Sequence, residues 1–356
     1  MRVAGAYSWR ILAIAGVIAI FIFLVIRLRE IVVPLMVAIL LAALLVPFVQ
    51  FLQRHRWPKW LAVALAEVGI IALVVGLIVL IVFQVRSGFP DLQKQSIQAF
   101  DQFRKYLLDS PLHLTTSDIN NYLDQAWKSI QTDSRQLLSG ALSVGSSAGH
   151  FLAGVLLALF ATLFLLIDGK GIWAWVVRLF PRKARTAVGG AGRAGWVTLT
   201  SFVRVQIFVA AVDAVGIGLG AFFLQLPLVI PIAIAVFLGS FVPVVGAALT
   251  GVLAVFIALI YKDIVAAVIM LAVVILVQQV EGHVLQPLVM GNAVKVHPLA
   301  VVFAVAAGAY LAGIPGALFA VPLVATVNVM IHYIASGTWK NSPNSNPNLK
   351  DVLRDA

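Results

Sequence analysis

The sequence predicts an all-α polytopic membrane protein. It has six spanning helices, two Pro/Gly-tipped re-entrant hairpins in an inverted repeat, and a helical extramembrane insert. Three observations predict it. The first is composition: of 356 residues, 62% are hydrophobic and 11% charged, where a soluble domain carries about 25% charge. The second is the recurrence of apolar runs near 20 residues, the length a helix needs to cross a hydrocarbon core of about 30 Å. The third is a pair of long apolar stretches broken by proline and glycine. One runs over 228–261 and breaks at Phe241-Val242-Pro243-Val244-Val245-Gly246; the other runs over 298–334 and breaks at Gly313-Ile314-Pro315-Gly316.

The spanning candidates are 9–28, 31–51, 60–85, 150–167, 202–226 and 264–285. The first ends in Arg27-Leu28-Arg29-Glu30 without a small-residue cleavage pattern. It reads as a retained helix rather than a signal peptide. The halves of each broken stretch are too short to cross a bilayer, and bare backbone is tolerated at membrane depth only inside protein or beside water. Re-entrant hairpins satisfy both conditions. A single long kinked helix, or two full crossings, is the competing reading.

Charge sets the orientation. Between 86 and 140, six basic residues balance six acidic ones. Ile119, Tyr122, Leu123, Ala126, Trp127, Ile130, Leu137 and Leu138 fall largely on one helical face. An earlier amphipathic piece carries Leu92, Ile97, Phe100, Phe103 and Leu107. Between 168 and 204, seven basic residues oppose Asp168 alone. An excess of Lys and Arg beside spans marks the cytoplasmic side. The neutral insert is therefore outside and both termini inside. The fifth and sixth spans then run in opposite directions, each followed by a hairpin, which is an inverted-topology repeat.

The domain organisation follows: 1–85, a three-helix membrane region; 86–141, the extracytoplasmic insert; 142–200, the fourth span and a basic cytoplasmic segment; 201–336, the transport core; 337–356, a polar cytoplasmic tail. The net charge of +11 reads as cytoplasmic loops facing anionic lipid, not as nucleic-acid binding. Cysteine is absent, which excludes disulfides and thiolate metal sites. Histidine spacing offers no metal site, and no cofactor motif is present.

Two enzyme-like patterns carry no enzyme. Gly145-Ser146-Ser147-Ala148-Gly149 matches a nucleophile elbow but lacks the preceding strand. Gly190-Ala191-Gly192-Arg193-Ala194-Gly195 matches a dinucleotide fingerprint with the same defect. Helix packing through small residues explains it better.

The informative residues are charges inside apolar helices, where an ionised side chain costs about 2.5–3.5 kcal/mol on insertion scales. Asp213 lies near the middle of the fifth span, and Gln278, Gln279 and Glu281 lie toward the inner end of the sixth. Asp213 and Glu281 are candidates for a coupling proton or sodium ion, Gln278 and Gln279 for amide ligands, and Asn328 for a cavity-lining residue. Asp213 could equally pair structurally with Arg204, and Glu67 reads as structural or interfacial. At the hairpin tips, Pro243 and Pro315 cannot donate, while Gly246 and Gly316 let backbone approach either a solute or a packed neighbour. The arrangement fits a secondary transporter working by alternating access, with a small solute held between the tips. An oligomeric channel, an intramembrane enzyme and a partner-binding scaffold are the rivals.

The run from Val277 to Gly291, with Glu281 and Gly282 in its middle, then Val296-His297-Pro298-Leu299, resembles the autoinducer-2 exporter family. So do the Phe241–Gly246 tip, the run from Gly313 to Leu323, Arg204-Val205-Gln206, and Pro34 with Pro47. The likeness covers most of 31–334 outside the insert. The family's usual asparagine after the glutamate is Gly282 here. The resemblance implies a bacterial inner-membrane secondary transporter, export of autoinducer-2 or a similar small solute, sodium/proton antiport in some members, and a pentameric homo-oligomer.

Overall fold

The computed structural model describes residues 23–108, 144–242, 245–285 and 298–337, with Gly16, Ile20 and Trp339. Among these residues every regular element is helical and none is a strand. The helices are α1 (Arg29–Arg54), α2 (Lys59–Leu108), α3 (Val144–Arg178), α4 (Arg185–Phe223), α5 (Val229–Gly239), α6 (Val245–Tyr261), α7 (Ile264–Val280) and α8 (Pro298–Ala335). Among the described residues, six helices are long and apolar enough to cross a membrane. Five of them correspond to spans expected from the sequence, 31–51, 60–85, 150–167, 202–226 and 264–285. Most of the 9–28 run lies outside the described residues, and the sixth place is taken by Leu299–Ala335.

Other boundaries move for identifiable reasons. The third span ends within one residue of the expected 85, at Gln84, but its helix α2 continues to Leu108, because the amphipathic spacing that follows keeps the helical period. The expected second helix of the insert lies outside the described residues. The fourth span was expected to end at 167, and there the helix does break: Asp168 leaves helical geometry (φ −141, ψ 42). Its carboxylate accepts from the Gly171 amide at 3.1 Å and starts the helix again. The fifth span was expected to begin at 202. Instead α4 begins at Arg185, so much of the basic segment is itself helical. Arg185 reaches back to donate to the carbonyls of Phe180 (2.9 Å) and Arg178 (2.8 Å). A cation there satisfies the exposed carbonyl end of α3.

The chain forms two compact units, 1–71 with 154–207 and 288–356, and 72–153 with 208–287. In the first, Ala42, Leu45, Val49, Ala62, Val63, Ala66 and Leu166 form one buried cluster. Lipid tails are as apolar as these side chains, so association rests on close packing, and small residues permit it. The glycines of the 190–195 run show this. A Cβ on Gly190 would meet Tyr333, one on Gly192 the ring of Trp173, and one on Gly195 Met330 and Thr326. The fingerprint lies inside α4 as a helix-packing face.

In the second unit, Ile217, Ala221, Ile232, Val236, Ala254, Ile257, Met270 and Val274 are buried together. The chain reverses after α4 through Gln225 (φ 52) and Leu228 (φ 65), both left-handed. Gly218 then faces Ala233, Gly216 faces Val277, and Gly220 faces Val273. These pairs set both α5 and α7 antiparallel to α4. Asp263 caps α7 by accepting from the Ala266 amide at 2.7 Å.

Candidate functional site

Both broken stretches fold back on themselves. A continuous helix rises about 1.5 Å per residue, so residues seven or eight apart lie more than 10 Å from one another. Yet a Cβ on Gly246 would collide with the Gly239 carbonyl, and one on Gly316 with the Gly308 carbonyl. Each pair brings two helical arms into backbone contact. In the first hairpin the arms are α5 and α6, and the Thr250 hydroxyl donates to the Gly246 carbonyl at 2.8 Å. In the second, α8 breaks at Ala312 (φ −139, ψ 18) and Gly313 (φ 63, ψ −147). The expected break began at Gly313, so it starts one residue earlier. Pro315 stands in the first turn of the new arm, where its missing N–H costs nothing.

Gly246 and Gly316 are both buried. Each faces the opposite arm of its own hairpin, so packing alone explains why they are glycine. Pro243 lies outside the described residues. Asn328 is exposed and sits about three turns beyond Gly316, away from the tip.

Asp213 is 1% exposed. It is the only charged residue between Arg204 and Lys262, and Arg204 itself is exposed. The Ser240 hydroxyl donates to Asp213 Oδ2 at 2.9 Å. Asp213 Oδ1 is buried and meets no hydrogen-bond partner among the described residues. Ser240 follows the last residue of α5, so the carboxylate sits at the tip of the first hairpin. The sequence reading missed Ser240. Its signal was present, since it is the only Ser or Thr between Ser201 and Thr250.

The α4–α7 register brings the two carboxyl candidates to one level. Asp213 lies three residues before Gly216 and Glu281 four residues after Val277. Because Gly216 contacts Val277, both residues continue the facing sides of these helices by one turn. Glu281 is half-buried and opens a π-helical turn, Glu281–Leu285. Gln278 is half-buried and Gln279 exposed. Glu67, 9% exposed, belongs to α2 in the other unit. No group of three or more His, Cys, Asp or Glu residues could hold a metal ion among the described residues.

These features define a multi-pass helical membrane protein with two glycine-closed helical hairpins and a buried carboxyl group beside one of them. The chain belongs to the AI-2E transporter family, which it matches over residues 11–336. It is 39% identical to MT0215 of Mycobacterium tuberculosis (strain CDC 1551 / Oshkosh) over 95% of this chain and 92% of that protein. It is 26% identical to YrrI of Bacillus subtilis (strain 168), over 87% and 88%. It is 24% identical to the AI-2 transport protein TqsA of Escherichia coli (strain K12), over 86% and 87%. The protein is thus a membrane transporter of this family.

Proposed function

We propose that this protein is an inner-membrane exporter of a small solute, of the autoinducer-2 type, working by ion-coupled alternating access. The half-length arms carry the reading. The α5 helix has 11 residues and spans about 16 Å, roughly half a hydrocarbon core. Its tip ends beside Asp213, about 15 Å along α4 from Phe223. A hairpin that stops halfway leaves backbone groups at depth, which a protein tolerates when they line a watery cavity. The first arm of α8 is also too short to cross. In this reading both hairpins are re-entrant, as an inverted repeat requires.

In this reading each tip, Pro243 with Gly246 and Pro315 with Gly316, is a place where unpaired backbone groups meet the solute. Gln278 and Gln279 supply amide ligands, and Asn328 lines the path. Asp213 and Glu281 carry the coupling proton or sodium ion. Both termini and the 168–204 segment face the cytoplasm, anionic lipid covers the basic segment, and copies of the chain associate as a homo-oligomer.

Transport is tested in liposomes containing the purified protein, with autoinducer-2 as solute and sodium and proton gradients imposed separately. Accumulation driven by either gradient is expected; passive equilibration under both would overturn coupling. Orientation is tested separately with single cysteines at Ser117 and Arg185, in a chain that has no cysteine of its own. They should label from opposite faces, Ser117 from outside.

A further inference from the structure

The Ser240 hydroxyl stands between two acceptors. It lies 2.9 Å from Asp213 Oδ2 and 2.9 Å from the Val236 carbonyl oxygen. A hydroxyl has one hydrogen, so it cannot serve both acceptors fully at once. The conflict disappears when the carboxyl group is protonated. The acid then donates to Ser240 Oγ, and Ser240 donates to Val236. When the carboxyl group is ionised, the hydroxyl hydrogen turns to Oδ2. Val236 still accepts the Ser240 backbone N–H at 2.8 Å. Both states fit the same heavy-atom positions, and only one hydrogen rotates.

A proton is the simplest ion for this pair, since a carboxyl group and a hydroxyl exchange one hydrogen without further ligands. Asp213 sits at the carboxyl end of α5, where the helix carries partial negative charge. No basic residue stands anywhere on α5, α6 or α7. Among the described residues the Ser240 hydroxyl is the hydrogen-bond partner of Asp213, and no group of three or more His, Cys, Asp or Glu residues stands there. The titratable groups on the packed helices are few. Neither α5 nor the α4 segment around Asp213 adds one, and α6 carries Tyr261 at its far end. Glu281, with His283 beyond it, is what the α7 register brings to this level. Lys262 and Asp263 lie at the opposite end of α7, about 24 Å away by helix rise.

We propose that Asp213 and Ser240 form a proton-carrying pair at the tip of the first hairpin, with the Ser240 hydroxyl switching between the Val236 carbonyl and the Asp213 carboxylate as the proton arrives and leaves. The proton comes from water: a hydronium O–H bond breaks as the Asp213 O–H bond forms, and the reverse step returns it. The pair links α4 to the hairpin tip, so its hydrogen-bond polarity reports which state the proton site is in. This deepens the transport reading and rests on it, because a proton site buried at a half-depth tip has a use only if the tip is alternately exposed.

Infrared difference spectroscopy on the full-length protein in liposomes tests the pair, using pH, deuterium oxide and sodium chloride as probes. A carboxylic-acid C=O band is expected that disappears on alkalinisation and shifts in deuterium oxide. Asp213→Asn should abolish it. Ser240→Ala should shift its frequency, and Ser240→Thr, which keeps the hydroxyl, should restore the position. If the asparagine variant does not fold, the alanine shift alone decides. A band that survives Asp213→Asn, or one unmoved by Ser240→Ala, overturns the pair. Loss of the band on adding sodium at fixed pH overturns the choice of a proton over a metal ion. Accumulation without an Asp213 band refutes this pair alone; a band without any gradient-driven accumulation refutes the transport reading and leaves the proton site standing.

Discussion

The two hairpins are closed by the same device and differ in what they carry. Gly239 against Gly246 closes the first, and Gly308 against Gly316 closes the second. Backbone-to-backbone contact lets two helices approach as closely as helices can, which matters in lipid, where hydrophobic burial gives little drive to associate. Beyond that they diverge. The first tip turns beside a buried carboxyl group and a serine. The second turns on Gly313, in a conformation open essentially to glycine alone. Its next residue, Ile314, is 79% exposed, and Asp, Glu, Lys and Arg are all absent from α8. Closure is thus shared, whereas, of the two, only the first hairpin has a buried carboxyl group beside it among the described residues.

The sharpest way to break this comparison is at the shared device. Gly246→Val and Gly316→Val should both abolish folded, membrane-inserted protein, since each side chain would meet backbone that cannot rotate away. Overpacking typically costs about 1–3 kcal/mol, and a clash with fixed backbone belongs at or above the top of that range. Monodisperse protein recovered in detergent is the readout. Normal recovery of either variant would show that its hairpin is not closed by its glycine pair.

The asymmetry is tested next. Asp213→Asn keeps shape and removes charge, so the protein should fold while gradient-driven accumulation falls by at least tenfold. Passive exchange of the solute should survive. Pro315→Ala, at the second tip, should leave coupling intact. Equal loss of coupling from both would erase the distinction between the hairpins.

A smaller effect sharpens the second hairpin. Gly313→Ala places a side chain in a strained backbone region at a cost of about 1–3 kcal/mol. Open space surrounds it, since no atom lies within 4 Å of the added Cβ. A fall in melting temperature without loss of coupling is expected. An unchanged melting temperature would mean that the chain does not turn there as described.

The smallest changes lie outside both hairpins. Glu67→Gln should alter accumulation little. Gly69→Ala also meets nothing within 4 Å. It should stabilise α2 by up to about 1 kcal/mol through helix propensity.

Much of this was legible in the chain itself. Apolar run length gave the helices, because a bilayer fixes the length of whatever crosses it. Proline and glycine marked the two breaks to within a residue or two, because both act locally on the backbone. Asp213 stood out because a lone carboxyl group in an apolar helix is conspicuous wherever it points. Helix ends were less legible. The onset of α4 at Arg185 and the run of α2 to Leu108 carry no change in helical period to announce them.

What the sequence determined, then, was the class of protein, five of its spans, its breaks and its exceptional carboxylate, since each depends on local composition or on the thickness of the solvent. What only the tertiary structure decided was who meets whom. That Gly246 lies against Gly239, that Ser240 rather than Arg204 holds Asp213, and that Glu281 shares the level of Asp213 are matters of register between helices distant in the chain. Register is set by the summed contacts of small residues across those interfaces, and no single residue records it.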